Sequence, residues 1–207
     1  LVNSEDFKKT NWNDFDVLIL SDGNFPFLND KDFVELRQWI SGGGKIIAME
    51  NAVAQLAGLN NGGIKFKKDD AEQTAGKAND YSALKKFGDH ERESISATTP
   101  GSIFRIQLDN SHPLAFGYPD YYYSLKMDDH AYQFSDDGWN VGIIKKDNLV
   151  SGFVGSTLKK KLIDGLVFGV QDIGKGNIVY LANNLLFRNF WQNGKLMFCN
   201  ALFLVGQ

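Results

Sequence analysis

The chain has 207 residues, 43% of them hydrophobic and 13% aromatic, enough for one substantial core or two small ones. A formal charge of −3 and a pI near 5.6 give no electrostatic reason to expect nucleic acid or an anionic membrane surface as a partner. A single Cys excludes an internal disulfide framework, and the richest apolar run, LMFCNALFLV (196–205), is about half the ~20 residues a membrane span requires.

Taken in chain order, the sequence begins at Leu1 with neither an initiator Met nor a signal pattern, which reads as a fragment or processed product of a longer polypeptide. LVNSEDF (1–7) reads as an additional strand. FDVLILSDG (15–23) is a continuous apolar run ending in Asp-Gly, the pattern of a strand buried on both faces. Asp30 is the expected N-cap of a helix that carries Phe33, Leu36, Trp39 and Ile40 at helical spacing and stops at Gly42, Gly43 and Gly44. KIIAM (45–49) then forms a second buried strand. Strand, helix and strand over about 35 residues make a βαβ unit, and from it a parallel sheet is expected.

Residues 62–101 are charged, with weak helical periodicity around Tyr81 to Phe87, and read as an excursion from a single domain spanning 1–207. Strand-like segments follow at 102–108, 121–127, 139–146, 149–155 and 163–173, and then at 174–184 behind a tight Gly turn. A last helix is expected from about Trp191 to Leu204. The second half is therefore β-rich.

The junction KIIAMENAVAQLAG (45–58) has the strand–turn–helix form in which many α/β enzymes hold a nucleophile, where a strained turn exposes the side chain and N–H groups face a developing oxyanion. Its turn carries Glu50, Asn51 and Ala52, with no Cys or Ser. Glu50 could attack as carboxylates do in some hydrolases; the simpler role for Glu50 and Asn51 is to cap the next helix and bridge neighbouring loops. Cys199 lies on the apolar last helix, where a buried thiol is inert.

Among the histidines, His90 and Glu93 have the H-x-x-E spacing of two zinc ligands but lack a distant third His, so no metal site is read from them. His112 precedes a proline and suits a turn. His130 stands beside Asp128 and Asp129, which reads as a solvated turn or a small polar site. PDYYY (119–123) with Trp139 could form an aromatic platform for a sugar or peptide, or simply pack on the sheet. LKKKL (158–162) reads as a solvated basic turn.

Two stretches, LRQWISGGGKIIAMENA and GKGNIVYLANNLLFRNFWQNGKLMFCNALFLVG, together with the loop SHPLAFGYP, resemble the class I glutamine-amidotransferase-like domain at the C-terminal end of certain bacterial zinc carboxypeptidases. The likeness covers most of residues 15–206 and leaves 62–101 unaccounted for. It implies an α/β fold, a flavodoxin-like three-layer sandwich with a mostly parallel sheet. Amidotransferases carry Cys at the elbow and a His–Glu pair near the C-terminal end. The matching elbow here holds Glu50 or Asn51, and no His follows His130, so the triad is not retained.

The resemblance thus implies a non-catalytic accessory domain. Its partner would be an upstream peptidase domain of the same polypeptide, with zinc only in that domain and no cofactor in this one, in a secreted or periplasmic protein. Homo-oligomerisation is compatible with that role. The alternatives are a stand-alone hydrolase using Glu50 and a carbohydrate- or peptide-binding module. The candidate ligand contacts are His112, His130, Tyr122, Trp139 and Arg188, and the elbow residues Glu50 and Asn51 form a vestigial site.

Overall fold

A computed structural model describes residues 2–68 and 86–206. Among the described residues eight strands join in one sheet: β1 (Val17–Leu20), β2 (Lys45–Met49), β3 (Gly101–Leu108), β4 (Tyr121–Lys126), β5 (Trp139–Ile144), β6 (Leu149–Phe153), β7 (Gly165–Ile173) and β8 (Gly176–Leu181). The order is β1-β2-β8-β7-β5-β3-β4, with β6 also paired to β3. The described helices are α1 (Asp30–Ser41), α2 (Asn51–Ala57), α3 (His90–Ser96), α4 (Ser156–Leu162) and α5 (Asn193–Phe203).

This architecture corrects the expectation of a flavodoxin-like, mostly parallel sandwich. Only β1, β2 and β8 run parallel; every other pairing in the sheet is antiparallel. The βαβ unit β1–α1–β2 is present, because a helical crossover returns the chain in the same direction. The second half has no such crossovers. There β4 returns antiparallel on β3, β5 and β6 follow each other along the other side of β3, and β7 comes back through α4 antiparallel to β5 before turning tightly into β8. Gly174, at φ +63, makes the two-residue turn that pairs Ile173 with Gly176.

The sheet also curls. Adjacent strands lie about 4.8 Å apart, so β4, four places from β8 in the order, would stand roughly 19 Å away on a flat sheet. Yet Asn183, just past β8, donates from Nδ2 to Ser124 Oγ on β4 at 2.8 Å. The far edge has folded back over the end of the parallel strands.

Alternate residues of the parallel strands feed two cores, as a period of two requires. Ile46, Ala48, Ile178 and Tyr180 pack with Phe33, Leu36 and Ile40 of α1 and with Val53 and Leu56 of α2. Ile47, Met49, Val179 and Leu181 pack with Met197 and Ala201 of α5 and with Tyr122 and Phe168. Asn29, rather than Asp30, caps α1, its side chain accepting from the N–H groups of Lys31 and Asp32. The glycines end that helix as expected, and Gly44 lies flat against Trp39, whose indole stands 2.3 Å from where a Cβ would be.

Four further local expectations fail. SEDFKK (4–9) is a 3₁₀ helix and not a strand: Phe7 is its one buried apolar side chain, stacked on Phe27 at 4.1 Å, and a lone anchor cannot make an alternating strand. β1 is an edge strand with Ile19 exposed, not one buried on both faces. LKKKL lies in helix α4, where Leu158 and Leu162, four apart, are both buried. Cys199 is exposed on α5, because that helix buries Met197, Asn200 and Ala201 instead. Of the charged excursion, residues 69–85 lie outside the described residues, and with them most of the periodic stretch from Tyr81 to Phe87.

Lys45 fastens α5 to the sheet. It is buried, and its Nζ donates to the carbonyls of Ala201 (3.2 Å) and Leu202 (3.1 Å), which the last turn of a helix leaves without internal partners. Burial holds its pKa below the ordinary lysine value. Lys45→Met is expected to destabilise the domain by about 1–3 kcal/mol in urea denaturation, since it orphans both carbonyls. A change near zero would mean that water satisfies them.

Candidate functional site at the strand–helix elbow

The elbow is built, and it is strained. β2 ends at Met49, and Glu50 turns the chain into α2 with φ +48 and ψ −114, a conformation L-residues rarely adopt, costing on the order of 1–3 kcal/mol. The strain persists because the backbone is held on both sides. Glu50 N–H donates to Leu181 O on β8 at 3.0 Å, while Glu50 O accepts from the N–H groups of Val53 (3.0 Å) and Ala54 (3.2 Å).

The Glu50 carbonyl therefore starts the helix, but its carboxylate does not cap it. That side chain turns away, and Oε2 accepts from Asn184 Nδ2 at 2.8 Å. Asn51 takes the bridging role expected of the pair. Its N–H donates to Asp22 Oδ1 (3.4 Å) and its Nδ2 to Gly23 O (2.9 Å), tying α2 to the loop after β1.

A cavity of about 390 Å³ opens over the elbow, lined by Asp22, Glu50, Asp128, His130 and Asn184 with Met127 and Phe187 as apolar walls. Asp22 follows β1, Glu50 follows β2 and Asn184 follows β8, so all three come from the carboxyl ends of the parallel strands, where ligands bind in open α/β sheets. Asp128 arrives from the far edge of the sheet through the curl. It pairs with Lys126, the last residue of β4 and only 2% exposed, and accepts from His130 N–H at 2.8 Å.

Electrostatics set the protonation state here. Burial, and then the nearby charges of Asp22 and Asp128, raise the Glu50 pKa from 4.5 to about 7; the Asn184 hydrogen bond and Lys126 oppose the rise. For Lys126 burial is the largest influence and pushes the pKa down, against Asp128, Asp129 and Glu50, which hold it up.

No family model matches this chain, and no curated protein matches it. Among solved structures it is similar to the β-galactosidase of Rahnella sp. R3, at 12% identity over 90% of this chain and 22% of that one, with a TM-score of 0.44. It is also similar to a cytoplasmic protein of Salmonella typhimurium, at 12% identity over 93% and 72% of the two chains, TM-score 0.43. A third is the GH42 β-galactosidase Gan42B, at 12% identity over 93% and 22%, TM-score 0.41. This chain thus spans about a fifth of the length of either β-galactosidase. Likenesses this distant assign neither a family nor an activity.

Of the residues singled out in the sequence, the structure brings Glu50, Asn51 and His130 to one cavity and disperses the rest. His130 lies on its rim, with ring contacts to Phe66 and Tyr132 and its Nδ1 at 3.9 Å from Asp129; among the described residues it makes no hydrogen bond to Glu50. Tyr122 is core, packed edge-on against Tyr118 and Phe168, so PDYYY offers no continuous platform; Tyr121 and Tyr123 pair with each other on the opposite face of β4. Arg188 is exposed and lies over Phe187, touching the cavity only through that ring. His112 and Trp139 meet elsewhere, at a second cavity.

His90, on the exposed helix α3, stacks on Phe87. Among the described residues no group of three His, Cys, Asp or Glu side chains is placed to hold a metal ion. No described helix is long and apolar enough to cross a membrane.

Proposed function

We propose that the chain is a non-catalytic accessory domain, of the kind its sequence resembles at the C-terminal end of bacterial zinc carboxypeptidases. The correction of the fold removes the flavodoxin-like part of that resemblance and leaves the elbow. The observation that carries the reading is the chemistry at that elbow. The residue in the strained position is a carboxylic acid whose side-chain hydrogen bond goes to an amide, Asn184, while the one thiol of the chain stands exposed on α5. A carboxylate attacks only when ionised, and a pKa raised to about 7 leaves Glu50 about half protonated at neutral pH. On this reading the peptidase chemistry, its zinc and the secreted or periplasmic setting belong to a larger polypeptide, with the upstream peptidase domain as partner.

The test is the mass of the native polypeptide in its source cell, read with an antibody raised against residues 1–207. A band far above 23.1 kDa is expected. A band at 23.1 kDa would remove the accessory role.

One observation favours a second reading, a hydrolase that uses Glu50 as proton donor and acceptor. A carboxyl group with a pKa of about 7, in a cavity shared with Asp22, Asp128 and His130, is poised for general acid–base work near neutrality. In a hydrolase screen with ester, amide and glycoside substrates, this reading requires turnover by the wild type that Glu50→Gln reduces by about 10²-fold or more. The accessory reading expects no turnover from either protein.

A further inference from the structure

The second cavity lies away from the elbow, where the loop after β3 meets β5 and β7, and has a volume of about 340 Å³, at the lower end of the range of small-molecule sites. Its wall is Trp139, the first residue of β5 and 57% exposed, an unusual position for an indole with no partner to cover it. The ring is not free to turn. Its Nε1–H donates to Asp172 Oδ2 on β7 at 3.1 Å, and the His112 ring leans on it at 6.1 Å between centroids.

His112 is fixed in turn. Its Nδ1 accepts from Leu114 N–H at 3.0 Å, so in the neutral ring the proton sits on Nε2 and is free to donate. Burial keeps the imidazole neutral by lowering its pKa, against the opposing charges of Asp109 and Asp172. Asp109 is held ionised by Ser111, whose N–H (3.1 Å) and hydroxyl both bond Oδ1. Asp109 Oδ2 and Asp172 Oδ1 have no hydrogen-bond partner among the described residues.

We propose that this cavity is a saccharide-binding site, which takes the C–H face of one pyranose ring on Trp139 and the hydroxyls of that ring on Asp109, Asp172 and His112. The assignment follows from the mixture of groups. A fixed, exposed indole offers an apolar face. Two carboxylates, each with one oxygen committed internally, offer acceptors to hydroxyl donors, and the imidazole offers one donor to a hydroxyl or ring oxygen. An anionic ligand would meet two like charges. A purely apolar one would leave three polar groups without partners. A cation would suit the carboxylates but not the N–H of His112. The site is independent of the elbow and stands or falls apart from the accessory role.

The experiment is saturation-transfer NMR and calorimetry of the whole chain with cellotetraose, chitotetraose, maltotetraose and mannotetraose, each to about 10 mM, with tetramethylammonium chloride as the cationic probe. At least one saccharide is expected to bind, with saturation strongest on its ring C–H protons. Trp139→Ala should weaken that binding by about tenfold or more, and Asp172→Asn by about threefold to tenfold. Trp12→Phe, in an aromatic cluster that does not line the cavity, should leave it unchanged. Unfolding curves for each variant separate lost binding from lost fold. Absence of binding by all four saccharides, binding that survives Trp139→Ala, or binding of tetramethylammonium alone would each overturn the proposal.

Discussion

Asp128→Ala is expected to be among the most destabilising single substitutions in the chain, by about 3–5 kcal/mol, although Asp128 is itself a third exposed. The reason lies with its partner. Lys126 is 2% exposed and its ammonium donates to Asp128 Oδ1; no other hydrogen bond is made by that group among the described residues. Removing the carboxylate leaves a buried, unpaired charge, which costs far more than the attraction of an exposed ion pair contributes. Lys126→Met should be nearly neutral by comparison, since it removes the buried charge and leaves Asp128 able to meet water. The asymmetry between the two partners is the measurable signature, read from urea denaturation at pH 7.

Lys126 also gives Asp128→Ala a pH dependence. Its pKa lies below the ordinary lysine value when folded, so the unfolded chain binds the proton more tightly. Stability of the variant should therefore rise as pH climbs toward about 10.5. Asp129 and Glu50 are the remaining acids that act on Lys126, so Asp128→Ala combined with Glu50→Gln should cost more than the sum of the singles. A loss under about 1 kcal/mol for Asp128→Ala would show that Lys126 is neutral or finds another acceptor.

The site was half legible in the sequence, and the division has a physical cause. Glu50 and Asn51 could be found because a βαβ unit ending in a small-residue turn is a local pattern. Asp22 and Asn184 carried an overlooked signal of the same kind. Each closely follows an apolar run that ends at the same edge of the sheet, where the carboxyl ends of parallel strands gather polar side chains. Lys126 and the approach of Asp128 had no such signal. They reach Glu50 because the sheet curls through four antiparallel steps, and curl is the sum of twists that no short window of sequence encodes.

The fold expectation failed for a related reason. A single βαβ unit was extended to the whole sheet, although the sequence from Gly101 onward shows no second strand–helix–strand pattern of that length. Segment positions fared better than segment environments. The six later strands lie where alternation placed them, while the expected burial of the first strand did not survive its place at the sheet edge. Cys199 shows the same limit. An apolar helix has an exposed side, and periodicity alone did not say that the thiol would be on it.

The pH dependence of stability should reveal whether the elbow is a dry pocket or a wet crevice. Glu50 has a folded pKa of about 7 against an ordinary 4.5, so the folded protein holds its proton to higher pH than the unfolded chain does. The stabilisation from that proton is fully present below pH 4.5 and is lost as pH rises to about 7. Partial exposure screens the effect, leaving about 1–2 kcal/mol across that window. Measured as the difference between wild type and Glu50→Gln, which cannot titrate there, the curve should fall from pH 4.5 to 7 and then run flat. Carboxyl carbon NMR gives the pKa directly, and two neighbours fix its cause. Lys126→Met should raise it further, because a cation is removed, and Asp128→Ala should lower it, because a like charge is removed. A Glu50 that titrates near 4.5 in all three proteins would mean that water fills the elbow. It would also remove the acid–base reading, since an ordinary carboxylate is fully ionised at neutral pH and has no proton to give.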